Sequence, residues 1–313
     1  MANNIKTNRF MMVGAGASYG QHKKYYPPLG KDLAFNLRVA IPSFIKIEQR
    51  LNKMCGEDFE AWLSSFLDRP EEFTHILWCV SKYFSMFSNL PEDSLYLKFI
   101  KNINEEIILH TTFSSLNYES LLELALRKHG YYLNWGAIPY QDNFNDHELR
   151  DKTIPFFKPH GSSHFMAENW QVGAVVSDSS SRIIGNTYIE DPKKMKNNNN
   201  RLSVISAYEP NKSTPLNTDF IDTIRTNLFK VVESSKIALI IGVSYRPDDI
   251  FIQKLIRTLF MNKVPIGYVG TEDERDKYFK AYRDFEPNIY YLGLFEDSTI
   301  NETIKFLEQD IVL

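Results

Sequence analysis

Apolar positions along this 313-residue chain follow two rhythms that alternate. Short continuous runs at 10–13, 107–113, 154–158, Ile237–Ile241 and Ile266–Val269 predict strands buried on both faces. Between them, apolar residues recur every three or four positions. Leu33, Leu37 and Ala40 predict a helix from Asp32. Phe59, Trp62, Leu63, Phe66 and Leu67 share one helical face, and Phe73, Ile76, Leu77 and Val80 repeat the pattern, with Pro70 and Pro91 as punctuation. Leu121, Leu122, Leu124, Ala125 and Leu126 predict a helix that stops at Gly130. Further helices are expected over about 218–234, from Pro247 or Asp248, and after Glu272 and Thr299. Strand alternating with helix predicts an α/β fold, a Rossmann-like and mostly parallel sheet. Almost no strand signal falls between 43 and 104. The expected layout is therefore one domain, 1–313, with a nucleotide-binding core (1–35 and 105–313) and a helical insertion (36–104). Residues 190–218 are rich in Lys, Pro, Ser and Asn and read as a surface loop or lid, or as disordered chain. No internal repeat is present.

Composition narrows the class. With 43% hydrophobic and 14% aromatic residues, the chain can bury a large core. Its 36 basic and 39 acidic side chains leave a net charge of −3, which excludes a broad basic surface for nucleic acid. Two cysteines, Cys55 and Cys79, cannot build a four-thiolate zinc site. They fall in segments read as helical and are expected as buried free thiols, in keeping with a reducing cytoplasm. The apolar stretch at 10–13 is broken by glycines, short of the roughly 7–15 residues of a signal core. Ile237–Ile241 is far below the roughly 20 residues that span a bilayer. A soluble, cytoplasmic protein without membrane contact is expected.

Four strand-to-turn transitions carry candidate chemistry. After the first strand comes Gly14-Ala15-Gly16-Ala17-Ser18, whose small residues would let a backbone approach a diphosphate; equally, they would let a helix lie close on a sheet. The dehydrogenase variant of such a turn needs a second strand ending in an acid roughly 20 residues on. Asp32 is near that distance but heads a helix, so that pattern fails. Asn117 follows a strand, where its amide can hold a ribose hydroxyl or a water, or can cap the next helix. His160 follows another strand and precedes Gly161; it suits a general base, although most histidines are surface or core residues. His164 is its nearest competitor, and His22, His75, His110, His129 and His147 receive no role. Gly242-Val243-Ser244 could contact a ribose or simply turn the chain.

Taken in order, Gly14-Ala15-Gly16-Ala17-Ser18, Tyr26-Pro27-Pro28-Leu29-Gly30, Ser115-Leu116-Asn117-Tyr118-Glu119, Lys158-Pro159-His160-Gly161-Ser162 and Ile241-Gly242-Val243-Ser244-Tyr245 resemble the sirtuin-like family. The set is most similar to its bacterial anti-phage defence branch. The resemblance spans residue 10 to about 250. It implies an NAD+ site between a Rossmann-like domain and a helical module, with Asn117 and His160 catalytic. Gly14, Ala15, Gly16, Ala17, Ser18, Pro28, Leu29, Ser115, Tyr118, Glu119, Gly161, Gly242, Val243 and Ser244 would contact the dinucleotide. The family's zinc ribbon is absent, as in the defence branch, so neither zinc nor another metal is expected. Two departures stand out: Glu119 replaces the usual Asp, and Pro159 replaces an apolar residue. The activity implied is hydrolysis of NAD+ to nicotinamide and ADP-ribose as the toxic step of abortive infection. Gating by homo-oligomerisation or by a partner protein from the same operon is expected. A non-catalytic NAD+ or ADP-ribose-binding subunit is the alternative, with ADP-ribosyl transfer or deacylation behind it.

Overall fold

The structure, a computed structural model, describes residues 7–21, 26–66, 69–136, 152–174, 181–192, 201–206, 218–285 and 288–309. Its centre is β1 (Arg9–Val13), buried at every position. Apolar side chains on both faces suit a strand covered on both sides. β1 pairs in parallel with β2 (Thr111–Ser115) on one side and β8 (Ile237–Ile241) on the other, Met11 facing Phe113 and Leu239. With β3 (Tyr132–Asn134), β4 (Thr153–Phe157), β9 (Ile266–Val269) and β10 (Ile289–Tyr291), they form a seven-stranded sheet ordered β10-β9-β8-β1-β2-β4-β3. Every adjacent pair is parallel. The fold is the α/β, Rossmann-like arrangement that the alternating pattern predicts. Its order reverses beside β1, since the chain passes first to β2 and fills the opposite side only later, from β8.

Helices α1 (Ala15–Tyr19), α2 (Gly30–Ala40), α3 (Pro42–Leu51), α4 (Phe59–Ser64), α5 (Pro70–Ser85), α6 (Leu95–Asn102) and α7 (Glu105–Leu109) separate β1 from β2. The helical character expected between 43 and 104 holds across its described residues. Leu33, Leu37, Phe44, Phe59, Trp62, Phe66, Phe73 and Leu77 all join one buried cluster with the sheet strands. Beyond β2 come α8 (Leu121–Lys128), α9 (Thr218–Ser234), α10 (Ile250–Met261), α11 (Glu272–Ala281) and α12 (Ile300–Leu307). Arg9, buried at the start of β1, donates from Nε to Leu307 O at 2.9 Å and from Nη2 to Gln309 O at 3.1 Å. A cation thus meets the carbonyls that α12 leaves unpaired at its end.

Several boundaries differ from the sequence expectation. Residues 107–109 are helical, and strand begins only at Thr111. Asn104 caps α7 by accepting from Glu106 N, and two glutamates occupy the first turn; these local signals outweigh the apolar run. Cys55 sits in the connection after α3, while Cys79 lies in α5; both are buried free thiols. Burial pushes the Cys55 thiol up to about 12. α10 starts at Ile250, with Asp249 as its cap.

A second sheet was not anticipated. β5 (Gly161–Ala174) pairs antiparallel with β6 (Ser181–Ile189) and β7 (Arg201–Ile205), in the order β6-β5-β7. Residues 201–205, expected within a loop, are therefore strand. The asparagine run at 197–200 and most of the remaining Lys/Pro/Ser/Asn-rich segment lie outside the described residues. α5 packs on β5 and β7. Ser203 Oγ, on β7, donates to Ser163 O of β5 and lies against Ser81 Oγ of α5, each at 2.5 Å. The helical layer and the small sheet are thus joined through α5. Among the described residues, no helix is long and apolar enough to cross a membrane.

Candidate functional site

The carboxyl ends of β1, β2, β4 and β8 open on a cavity of about 1140 Å³. Ligands of open α/β sheets bind at such an edge, where the strand order reverses. Asn117 and His160, separated by 43 positions in the chain, both line it. So do Gly14, Ala15, Gly16 and Ser18 from the first turn, Pro28 and Leu29 before α2, Tyr118 and Glu119 after β2, and Gly242, Val243 and Ser244 after β8. Ala17, Ser115 and Gly161 stand behind this lining. The opposite wall carries Glu57, Asp58 and Glu60, around the start of α4.

Backbone packing shapes the first and last of these turns. Gly242 has φ +61°, and a Cβ there would lie 2.0 Å from Ala17 N. A Cβ on Gly14 would lie 2.6 Å from Gly242 O, and one on Gly16 would lie 2.9 Å from Gly242 Cα. Close packing of the two turns therefore requires all three glycines. Gly16 N–H donates to Gly242 O at 3.0 Å and is held within the protein. Ala15 and Gly16 stay exposed, so the turn still presents bare backbone to the cavity.

Side chains set the β2 turn. Asn117 Nδ2 donates to Gly14 O at 3.1 Å and to Ser18 Oγ at 2.9 Å. Both amide hydrogens are thus used, and Oδ1 is the atom left for a ligand. Ser18 Oγ donates to Glu119 Oε1 at 2.6 Å and lies 3.0 Å from the Tyr96 hydroxyl. Glu119 Oε2 accepts from Leu121 N at 2.5 Å. Asn117 does not take the helix-capping role open to it in sequence: Ser120 is the N-cap of α8, and Glu119 accepts from its first N–H. Ser115 acts locally, its Oγ accepting from Asn117 N at 3.3 Å.

Behind this turn, Lys158 and Glu123 form a fully buried pair, Nζ to Oε1 2.5 Å. Lys158 Nζ also donates to Glu119 O at 2.5 Å. Burial raises the Glu123 carboxyl to about 7, against the pull of Lys158. Tyr118 carries contacts to the small sheet, its hydroxyl donating to Ser206 O at 3.2 Å and its carbonyl accepting from Ser163 N at 2.8 Å. Burial foremost, then Glu60 and Asp249, holds the Tyr118 phenol well above its usual range.

His160 occupies the crossing from β4 in the large sheet to β5 in the small one. Gly161 allows that crossing: its φ is +76°, and a Cβ would lie 2.0 Å from Val204 O of β7. Ser206 N donates to His160 O at 2.8 Å, and Arg225 Nε donates to the preceding Pro159 O at 3.0 Å. The imidazole Nε2 lies 3.0 Å from Asp249 Oδ2, with both side chains buried. Asp249, which also lines the cavity, was missed in sequence. Its detectable signal was helix-cap grammar, an acid directly before an apolar periodic run.

The other described histidines have ordinary surroundings. His164 is fully buried, 2.8 Å from Ser162 Oγ through Nδ1 and flanked by the Trp135 and Phe165 rings. Burial, aided by Lys158, drives its pKa well below the usual value. His75, His110 and His129 each contact the carbonyl one helical turn back. His22 and His147 lie outside the described residues.

No family model matches the chain, and no curated protein matches it. Among solved structures, it is similar to a mutant Sir2 homologue in complex with ADP ribose. That similarity has 9% identity and a TM-score of 0.41, and it covers 97% of this chain and 93% of that one. A similarity of that size assigns no ligand and no chemistry to this chain.

Proposed function

We propose that the cavity binds NAD+ and that the chain hydrolyses it to nicotinamide and ADP-ribose. One observation carries this reading: Asn117 and His160 open onto a single cavity at the reversal point of the sheet, beside two turns packed closely through Gly14, Gly16 and Gly242. The diphosphate would rest against Gly14-Ala15-Gly16-Ala17-Ser18, with Gly242 and Ser244 towards the adenosine. Asn117 Oδ1 would orient the nicotinamide ribose or the attacking water. As the C1′–N1 bond breaks, its electron pair leaves with nicotinamide and positive charge builds on the anomeric carbon. Water oxygen then forms the new C1′–O bond, and His160 accepts the proton that water gives up.

Free nicotinamide, followed after incubating the purified protein with NAD+, tests the reaction. Asn117→Ala and His160→Ala should each abolish release while the protein stays folded. Hydrolysis at the wild-type rate by both variants would overturn the assignment. Unrestrained hydrolysis would exhaust a cell's NAD+, so the same reading includes gating by self-association or by a partner protein. It also includes a role as the toxic effector of anti-phage defence, which rests on the motif resemblance. A purified monomer that is fully active alone would remove the gating.

A second reading has support in one contact pattern. Both Asn117 amide hydrogens are bound within the protein, as suits a residue that shapes a binding pocket without acting on its ligand. Tight NAD+ or ADP-ribose binding without turnover, with every partner supplied, would favour that non-catalytic role.

A further inference from the structure

We propose that Asp249 is a positioning residue for His160, orienting its imidazole in the cavity and stabilising the cation formed when the ring takes up a proton. The inference rests on the hydrolase reading and extends it to a residue 89 positions away in the chain.

The geometry is specific on both sides. Asp249 Oδ2 lies 3.0 Å from His160 Nε2, and the side chains are only 5% and 6% exposed. Its other oxygen, Oδ1, accepts from Ile252 N at 3.2 Å as the cap of α10. The carboxylate is therefore fixed by the helix start and cannot swing away. His160 is held from its backbone by Ser206 N and by the left-handed Gly161 that follows it. A buried carboxylate against an imidazole selects the ring's orientation and proton placement. It also favours the charged ring once the proton arrives, while the carboxylate itself stays ionised.

Other charged and titratable groups surround the pair. Arg225 on α9 interacts with Asp249, behind Asp222, while burial lowers the guanidinium's pKa. Tyr118 after β2, Asp248 in the preceding turn and Tyr278 on α11 also feel Asp249. Glu60 of α4, which raises the Tyr118 pKa, and Arg246, which lowers it, also act on Tyr118.

A helix cap and a charge partner can be separated chemically, because Asn caps a helix as well as Asp does but carries no charge. Asp249→Asn should lower kcat for nicotinamide release on the order of 10²–10⁴-fold with KM little changed. The acid limb of its pH–rate profile should move to lower pH. The His160 ring, identified in NMR spectra by loss of its signal in His160→Gln, should titrate about 1–3 pH units lower in Asp249→Asn. Asp249→Ser, a second uncharged cap, should behave alike and substitutes if the amide variant does not fold. An unchanged His160 titration with wild-type kcat in either folded variant would reduce Asp249 to a helix cap and overturn the proposal. If wild-type protein releases no nicotinamide, the hydrolase reading falls, whereas the ring titration still decides whether Asp249 acts on His160.

Discussion

Two pairs of turns lie side by side along the same sheet edge, and they are built in opposite ways. The β1 and β8 turns meet backbone to backbone, with Gly14, Gly16 and Gly242 leaving no room for a Cβ. The β2 and β4 turns are held by polar side chains: Asn117 and Glu119 in one, both tied to Ser18 after β1, and His160 beside Asp249 in the other. The first pair makes a closely packed floor that offers mostly backbone. The second supplies functional groups whose orientation depends on a hydrogen-bonded network. An extended ligand needs both, a surface it can approach closely and a few fixed polar atoms.

This contrast breaks in graded ways. The largest effect is expected in the glycine half and at the crossing after His160. Gly242→Ala places a Cβ 2.0 Å from Ala17 N, and Gly161→Ala places one 2.0 Å from Val204 O, each at positive φ. Each should cost on the order of 3–5 kcal/mol, since backbone must move and strain remains. Urea midpoints would report it, with stability and any activity lost together. An unchanged midpoint would mean that the close approach is absent.

Ser18→Ala tests the polar half. It removes the acceptor for Asn117 and the donor to Glu119, leaving buried groups short of partners at a cost of about 1–3 kcal/mol. Nicotinamide release should fall by more than stability alone explains, because Asn117 loses one of its two anchors. A variant with wild-type turnover would show that the network does not position Asn117.

The last effect is a slope with pH. Burial raises the Glu123 carboxyl from its ordinary 4.5 to about 7, so the folded state holds a proton that the unfolded chain has released. The resulting stabilisation is fully present below about 4.5 and is lost as pH rises through about 7. Lys158, 2.5 Å away, pulls the carboxyl down against burial, and the rise to about 7 is what remains after that pull. Thermal midpoints between pH 5 and pH 8 should fall in wild type and fall less in Glu123→Gln. Parallel curves would exclude the carboxyl as the source.

Much of the large sheet was legible because a strand buried on both faces writes itself as an unbroken apolar run, as in Met11-Met12-Val13 and Ile237–Ile241. The small sheet was not. Its strand β5 opens with Gly161, Ser162, Ser163 and His164, small or polar residues with contacts to Tyr118 and to each other, so burial there leaves no hydrophobic trace. At the start of β2 the error ran the other way: Ile107 and Leu109 suggested strand, and only the Asn104 cap and the two glutamates signalled a helix. Asp249 was readable as a cap and unreadable as a partner for His160, because spacing along the chain carries no distance across a cleft.

The order of small-residue turns, the alternation of strand and helix, and the candidate amide and imidazole at strand ends were all set by local sequence. Periodicity and turn chemistry act within a few residues. Which turns meet was decided by the tertiary structure alone. The parallel register brings the ends of β1, β2, β4 and β8 to one edge, and the left-handed Gly161 turns the chain from one sheet to the other beside the start of α10. Contacts between distant segments depend on the packing of the whole core, and no local pattern encodes them.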